Sequence, residues 1–371
     1  MNWKVIIAVC LAMSAAVGCA ALGSEGFADS GQRLGNEASW GVALGDVDSD
    51  GELAAVAANF VVGAAVWVND GRGSFSDSGQ RLAPSQCVAI ADLDGDGSVD
   101  VVLGAWDGPV SVWWNDGRGS FTRGGPDLAT TRCFSLGIGD FNGDGRPDVF
   151  VGGAAADLLL LNNGDRRFVD SGQRFGRAFT GGVAVGDVDG DGDADVVAAG
   201  WDEPGRVWVN DGSGMLTSRC ELATTSLHVH GATLADYDGD GDLDAFFALA
   251  GGTCCRNVWL NDGSGRLTSV DLAVGPANAQ AVAVGDLDLD GRLDVVLAPG
   301  SATPSSSFVW LGGEAGFRDA EVRIEAPFSA GVALGDLDGD GDFDLFITCL
   351  VLRGGAYDPF PNQVWLNTES P

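Results

Sequence analysis

The sequence predicts an all-β chain folded as a seven-bladed β-propeller of four-stranded blades, and three observations predict it. An acidic turn recurs seven times, its starts spaced 46 to 50 residues apart. Between successive turns the chain carries short apolar strand-like runs separated by Gly-rich turns, four per repeat. A phrase near the N-terminus duplicates the fourth-strand segment that the last repeat lacks. Four strands per repeat at a period near fifty specify a propeller rather than two unrelated domains, whatever the 371-residue length alone suggests.

Each turn follows the template D-x-[DN]-x-D-G-x-x-D. In order, its oxygen-bearing positions are Asp46, Asp48 and Asp50; Asp92, Asp94, Asp96 and Asp100; Asp140, Asn142, Asp144 and Asp148; and Asp187, Asp189, Asp191 and Asp195. The last three turns carry Asp236, Asp238, Asp240 and Asp244; Asp286, Asp288, Asp290 and Asp294; and Asp336, Asp338, Asp340 and Asp344. Four side-chain oxygens at positions 1, 3, 5 and 9, with Gly at 6 for a sharp turn at positive φ, converge on one hard cation. Calcium, which accepts six to eight oxygens in a flexible shell, suits them better than the tighter octahedron of magnesium. The expectation is up to one Ca2+ per blade, bound more weakly in the first, where Ala54 stands at position 9, and in the third, where Asn142 lacks charge. A helix-loop-helix calcium hand is excluded, because position 12 is apolar in every copy and each turn runs on into a β-like segment such as 99–106, VDVVLGAW. About half of the 53 Asp and Glu sit in these turns, so the net charge of −33 is concentrated there and does not form a solvating coat.

The third strand ends in a recurring phrase, VWVNDGRG at 66–73 and VWLNDGSG at 258–265 among others, whose Asn-Asp-Gly suits a tight hairpin. Its Trp stripe (Trp67, Trp113, Trp208, Trp259, Trp310, Trp365), broken only by Leu160, reads as packing between sheets. The sequence stops its pattern at VWLN, 364–367, with no fourth strand. Residues 26–34, GFADSGQRL, nearly repeat SFSDSGQRL at 74–82, so the N-terminal segment is expected to complete the last blade and close the ring.

Phrases such as VAVGDVDGDGDADVVAAG (183–200) and VALGDLDGDGDFDLF (332–346) resemble the VCBS and FG-GAP repeats of integrin α-chain heads and many secreted bacterial proteins. The resemblance spans essentially residues 24–371. It implies a propeller with calcium in the loop between first and second strands of each blade, all facing one end of the ring. The literal Phe-Gly and Gly-Ala-Pro signatures of integrins are largely absent, so an integrin-like partnership is not implied.

Residues 1–21 have the charged start, short apolar middle and small-residue end of a secretory signal, and 24–371 forms the single repeat domain. Two processing routes are open: cleavage near Ala20 or Ala21, or a lipobox at 16–19 with a lipid anchor on Cys19. Either gives a secreted or cell-surface protein, and no segment is apolar for long enough to span a bilayer. With this acidity nucleic acid is excluded as a partner. Function is expected at the end opposite the acidic turns, among residues that follow second strands or precede first strands. The candidates are Asn59, Trp106 with Asp107, Trp201 with Asp202 and Glu203, segments 249–257, 298–307 and 349–363, and the two histidines His228 and His230. Trp106 and Trp201 read either as ligand platforms or as caps of the blade ends. Of the cysteines beyond the signal, Cys87 with Cys133 and Cys220 with Cys254 or Cys255 are candidate disulfides, with buried free thiols the alternative. The function expected is binding or adhesion, of a glycan or an extracellular protein, on a scaffold in which calcium is structural. The alternative is a lyase-like enzyme acting on extracellular polysaccharide, with His228 or His230 as base.

Overall fold

The computed structural model describes residues 26–129, 132–176, 179–201, 203–222, 228–250, 258–270, 278–300, 306–313, 316–353 and 356–368. The leader with Cys19, Asp202, Cys254 and Cys255 lie outside the described residues. No helix among the described residues is long and apolar enough to cross a membrane.

Seven antiparallel sheets follow one another in chain order, each meandering outward from a first, innermost strand. Blade one consists of Ser39–Gly45, Ala54–Asn59, Ala65–Asn69 and Phe75–Arg81, and blade two of Cys87–Ala91, Asp100–Gly104, Ser111–Asn115 and Phe121–Arg123. Blades three to six repeat the pattern from Cys133–Gly139, Thr180–Gly186, His228–Ala235 and Ala281–Gly285. Blade seven takes Ser329–Gly335, Asp344–Arg353 and Gln363–Asn367, and its outer strand is Phe27–Asp29 from the other end of the chain. That strand pairs Phe27 with Asn367 and Asp29 with Trp365, and Leu34 bridges to Asn362, so the ring closes as the duplicated phrase foretold. One feature departs from the repeat: Ala356–Pro359 doubles back on the end of Asp344–Arg353 as an added hairpin.

The second strands read as continuous apolar runs because both of their faces are covered. Ala54–Asn59, Asp100–Gly104 and Asp294–Ala298 are buried at every residue. The core is made between blades. Trp67, Phe75 and Ala57 of blade one pack with Leu337, Phe346 and Val364 of blade seven. The Trp stripe lies in such inter-blade clusters, as its regular recurrence predicted. Near the axis the inner strands approach so closely that a Cβ on Gly181 would stand 2.1 Å from the Val229 carbonyl oxygen, and one on Gly331 2.5 Å from that of Trp40.

Two side-chain clamps bind neighbouring blades. The Asn closing each third strand donates its amide to a carbonyl in the acidic loop of the preceding blade: Asn69 to Leu337, Asn115 to Val47, Asn162 to Leu93, Asn210 to Phe141, Asn261 to Val188 and Asn367 to Leu287, at 2.7 to 2.9 Å. Blade six has Gly312 at this position and lacks the clamp. On the outer strands Gln32, Gln80 and Gln173 each reach the next blade, donating to one backbone carbonyl and accepting from an N–H two residues on. These are the glutamines of the recurring SGQR phrase. The repetition that revealed the ring thus also encodes the hydrogen bonds that hold its sectors together.

Candidate functional site

The acidic loops share one backbone geometry. Gly at position 6 takes φ between 82° and 98° in all seven, and its N–H donates to Oδ2 of the first Asp at 2.8 to 3.2 Å. The ninth-position Asp is buried in each of the six loops that have one. One of its oxygens accepts from the second-position N–H of its own loop. The other accepts from the N–H that ends the third strand, as when Asp195 receives Val188 and Asn210. This carboxylate is therefore anchored by backbone before any ion is considered.

The side chains converge in threes and not in the predicted fours, positions 1 and 3 joined by position 5 in the first two loops and by position 9 in the fourth, fifth and sixth. Ligand-type oxygens lie within 4.8 Å of one another in the sets Asp46, Asp48, Asp50; Asp92, Asp94, Asp96; Asp187, Asp189, Asp195; Asp236, Asp238, Asp244; and Asp286, Asp288, Asp294. Each set could hold a metal ion. A second observation points the same way: Oδ1 of Asp46, Asp189, Asp288 and Asp338 is buried with no hydrogen-bond partner. A carboxylate oxygen left bare in this way carries an uncompensated desolvation cost, which a cation removes. Burial and neighbouring aspartates push Asp189 and Asp338 above the usual carboxylate range and Asp288 up to about 6. Burial pushes the ninth-position groups further, Asp100 up to about 7 and Asp294 up to about 8.

The loops are not equal. The Arg166 guanidinium of blade three reaches Asp94 Oδ2 of blade two at 2.6 Å, and Arg146 and Arg292 reach the fifth-position Asp144 and Asp290 of their own loops at 2.5 and 2.9 Å. Arg166 lies about 70 residues from the carboxylate it meets, and no local phrase announces the pairing.

At the opposite end of the ring a cavity of about 660 Å3 opens among blades one to five. Its walls include Trp40, Phe60, Trp106, Phe134, Phe179 and Trp201, with Ser85, Gln86 and His230. The aromatic rings form a continuous ridge. Trp106 meets Phe134 edge-on at 4.4 Å, Phe134 lies against Phe179, and Phe179 stacks on Trp201 at 4.2 Å. Trp201 also packs on His228 at 5.2 Å and His230 at 5.1 Å, so both histidines end in one cluster. On the other wall Trp40 meets Phe60 edge-to-face at 5.5 Å. Burial holds the His230 imidazole down to about 4, so it is neutral at pH 7. Within the walls Ser85 Oγ, Gln86 Oε1 and Trp201 Nε1 are buried without a hydrogen-bond partner.

Trp106, Asp107, Trp201 and His230 line this one cavity, with His228 behind Trp201. Neither Trp is a bare platform, since Arg132 lies 4.9 Å over the Trp106 ring while Phe179 and His228 flank Trp201. Asn59 closes the second strand of blade one and caps the turn after it: it is buried, and its Oδ1 accepts from the N–H groups of Val61 and Val62. Sequence reasoning missed Trp40, Phe60, Phe134 and Phe179. A signal for three of them exists, because the cavity is built from two columns of the repeat. Six residues before each template Asp stand Trp40, Gln86, Phe134, Gly181 and His230, and fourteen after it stand Phe60, Trp106 and Trp201. In blades six and seven the same columns hold Gln280, Ala330, Gly300 and Leu350, so the aromatic lining is confined to one side of the ring.

Ring, clamps and acidic loops define a propeller assembled from loop-bearing repeats. The FG-GAP-like repeat family matches residues 92–151, 140–198, 187–247 and 286–347, more than half of the chain, and the chain belongs to that family. No curated protein matches it. Among solved structures it is similar to BBS1N in complex with ARL6DN soaked with mercury, with TM-score 0.58 and 12% identity over 93% of this chain and 97% of that one. The same complex soaked with lead gives TM-score 0.57 and 11% identity over 93% and 98%. A structure concerning specific recognition of non-reducing terminal N-acetylglucosamine by an Agrocybe aegerita lectin gives TM-score 0.49 and 20% identity over 90% of this chain and 86% of that one. At these identities the likeness shows the fold alone.

Proposed function

We propose that the chain is an exported binding module in which calcium holds the loops at one end of the ring and a glycan is taken in the cavity at the other. The cavity carries the glycan reading. It falls within the ~300–1,000 Å3 of small-molecule sites, and it combines a pre-packed aromatic wall with polar groups left without partners. Such a surface suits a ligand with apolar C–H faces and hydroxyl edges. An extracellular protein is the second reading, favoured by Val61 and Val62, which are exposed directly after Phe60. For a lyase the base nearest the cavity is His230, and an imidazole held down to about 4 is a weak base at neutral pH.

The calcium ligands are the template aspartates, with Asn142 in blade three. The ion relieves repulsion among carboxylates already brought together and contributes folding free energy without taking part in chemistry. Export rests on the leader at residues 1–21, with cleavage near Ala20 or Ala21, or lipidation at Cys19.

The test is a thermal melt of the mature chain, with calcium and with chelator, against a panel of oligosaccharides. Chelation lowers the melting temperature. A bound glycan at ~100 Kd adds about 2.7 kcal/mol, and Phe179→Ala removes that increment while leaving the calcium-dependent rise. A calcium-loaded, folded protein that answers to no saccharide sinks the glycan reading, and a melt indifferent to chelation sinks the metal.

A further inference from the structure

We infer that the cavity selects an uncharged saccharide, short enough to lie within it, over acidic glycans and over cationic ligands. This deepens the glycan reading and rests on it. The argument is the neutrality of one place on a very acidic molecule. The chain carries a net charge of −33, yet the charged residues lining the cavity are few, and their partners are other protein residues. Asp107 faces Arg132 at 3.8 Å, and Arg123 pairs with Asp127. All four side chains are at least 40% exposed, which places these charges at the rim. Deeper in, the polar groups are a serine hydroxyl, a glutamine amide, an indole N–H and a buried imidazole, all without formal charge at neutral pH.

An acidic sugar would bring its carboxylate against walls that offer no uncommitted cation among the described residues, under the repulsion of the whole molecule's field. A quaternary ammonium or other cation would be drawn by that field, but it needs open aromatic faces. On Trp106 and Trp201 those faces are occupied: the Arg132 guanidinium lies over Trp106, and Phe179 and His228 pack on Trp201. What remains is apolar ring surface, with Ser85, Gln86 and Trp201 to donate to and accept from hydroxyls. Gln86 and Ser85 sit in adjacent positions just before the first strand of blade two, and both line the cavity. The volume admits roughly two or three pyranose rings, a share of the ~300–1,000 Å3 typical of such sites.

The experiment is isothermal titration of the calcium-loaded mature chain with three sets of probes. Neutral trisaccharides of glucose, mannose, xylose and N-acetylglucosamine form the first; trigalacturonate and sialyllactose the second; phosphocholine and choline the third. The expected result is binding within the neutral set, weaker by at least about tenfold in the other two, and insensitive to ionic strength. Gln86→Ala and, separately, Ser85→Ala weaken the neutral ligand by about tenfold while the calcium-dependent melt is kept, so a fold defect is told apart from a lost contact. An acidic saccharide that binds as tightly as the neutral ones overturns the inference and leaves the glycan reading standing. Choline as the tightest ligand overturns both, and so does silence from every probe on a folded, calcium-loaded protein.

Discussion

Leu289 holds a backbone conformation that its own side chain opposes. It occupies position 4 of the sixth acidic loop with φ of 55°, where five of the other loops place Gly and the first has Ser49 at 63°. The left-handed region costs an L-residue ~1–2 kcal/mol, and Leu289 is exposed enough to return little of that through packing. Leu289→Gly should therefore stabilise the folded chain by about 1 kcal/mol after the greater entropy of glycine in the unfolded state is deducted. Urea unfolding measures this, and a loss of stability would show that the leucine packs after all. A second expectation concerns Cys87 and Cys133. Their sulfurs stand 3.2 Å apart in the buried seam between blades two and three, and a Cβ on Gly104 would collide with both. Incubation with glutathione disulfide should transfer two electrons and two protons from this pair to the oxidant, leaving a cystine and lowering the protein's mass by two hydrogens. Both thiols remaining alkylatable after denaturation would overturn that pairing.

At the scale of the loop, the sequence makes the ligand positions legible and hides what competes for them. The template is local, nine residues long and repeated, so period and spacing alone place Asp187, Asp189 and Asp195 together. Arg166 meets Asp94 only because the ring sets blade three beside blade two. The aromatic cavity was half legible for a related reason. Trp106 and Trp201 share a local phrase, whereas Trp40, Phe134 and Phe179 come from different repeats with unlike neighbours and become neighbours only around the axis. Phe179 does not fall in the shared column at all: it stands eight residues before Asp187, and Gly181 holds the column position in blade four. The Arg166 pairing makes a prediction at this scale. In chelator the guanidinium offsets part of the repulsion among Asp92, Asp94 and Asp96, and Arg166→Ala should lower the melting temperature there. In saturating calcium the ion does this instead, and the difference between wild type and variant should shrink toward zero. An equal loss under both conditions would assign Arg166 to packing on Trp114, over which it lies at 5.1 Å.

At the scale of the whole molecule, six blades are tied to the loop of the preceding blade by an Asn clamp, and the buried loop aspartates share one titration window. Six buried ninth-position aspartates have pKa values raised primarily by burial, Asp148, Asp195, Asp244 and Asp344 to about 6, Asp100 to about 7 and Asp294 to about 8. Asp157, in the seam of blades three and four and away from the loops, is raised by burial to about 7. An acid whose folded-state pKa lies above its unfolded value binds more protons in the folded state, so stability falls as pH rises. The contribution is complete below the unfolded value near 4 and is lost as pH climbs through about 6 to 8. The metal-free chain should therefore melt at progressively lower temperature from pH 5 to pH 8, opposite to the usual gain of an acidic protein whose carboxylates are salt-bridged. Calcium bound at these carboxylates would displace those protons, so its stabilisation should grow over the same window. Melts in chelator and in calcium at several pH values give both curves. Because each Asn clamp ties the loop of one blade to the third strand of the next, the loss should appear as one cooperative transition and not as the shedding of single loops. Parallel curves with and without calcium would mean that the buried carboxylates are not its ligands. Asp157 would remain an internal reference, since Asp157→Asn removes its share of the slope in both conditions alike.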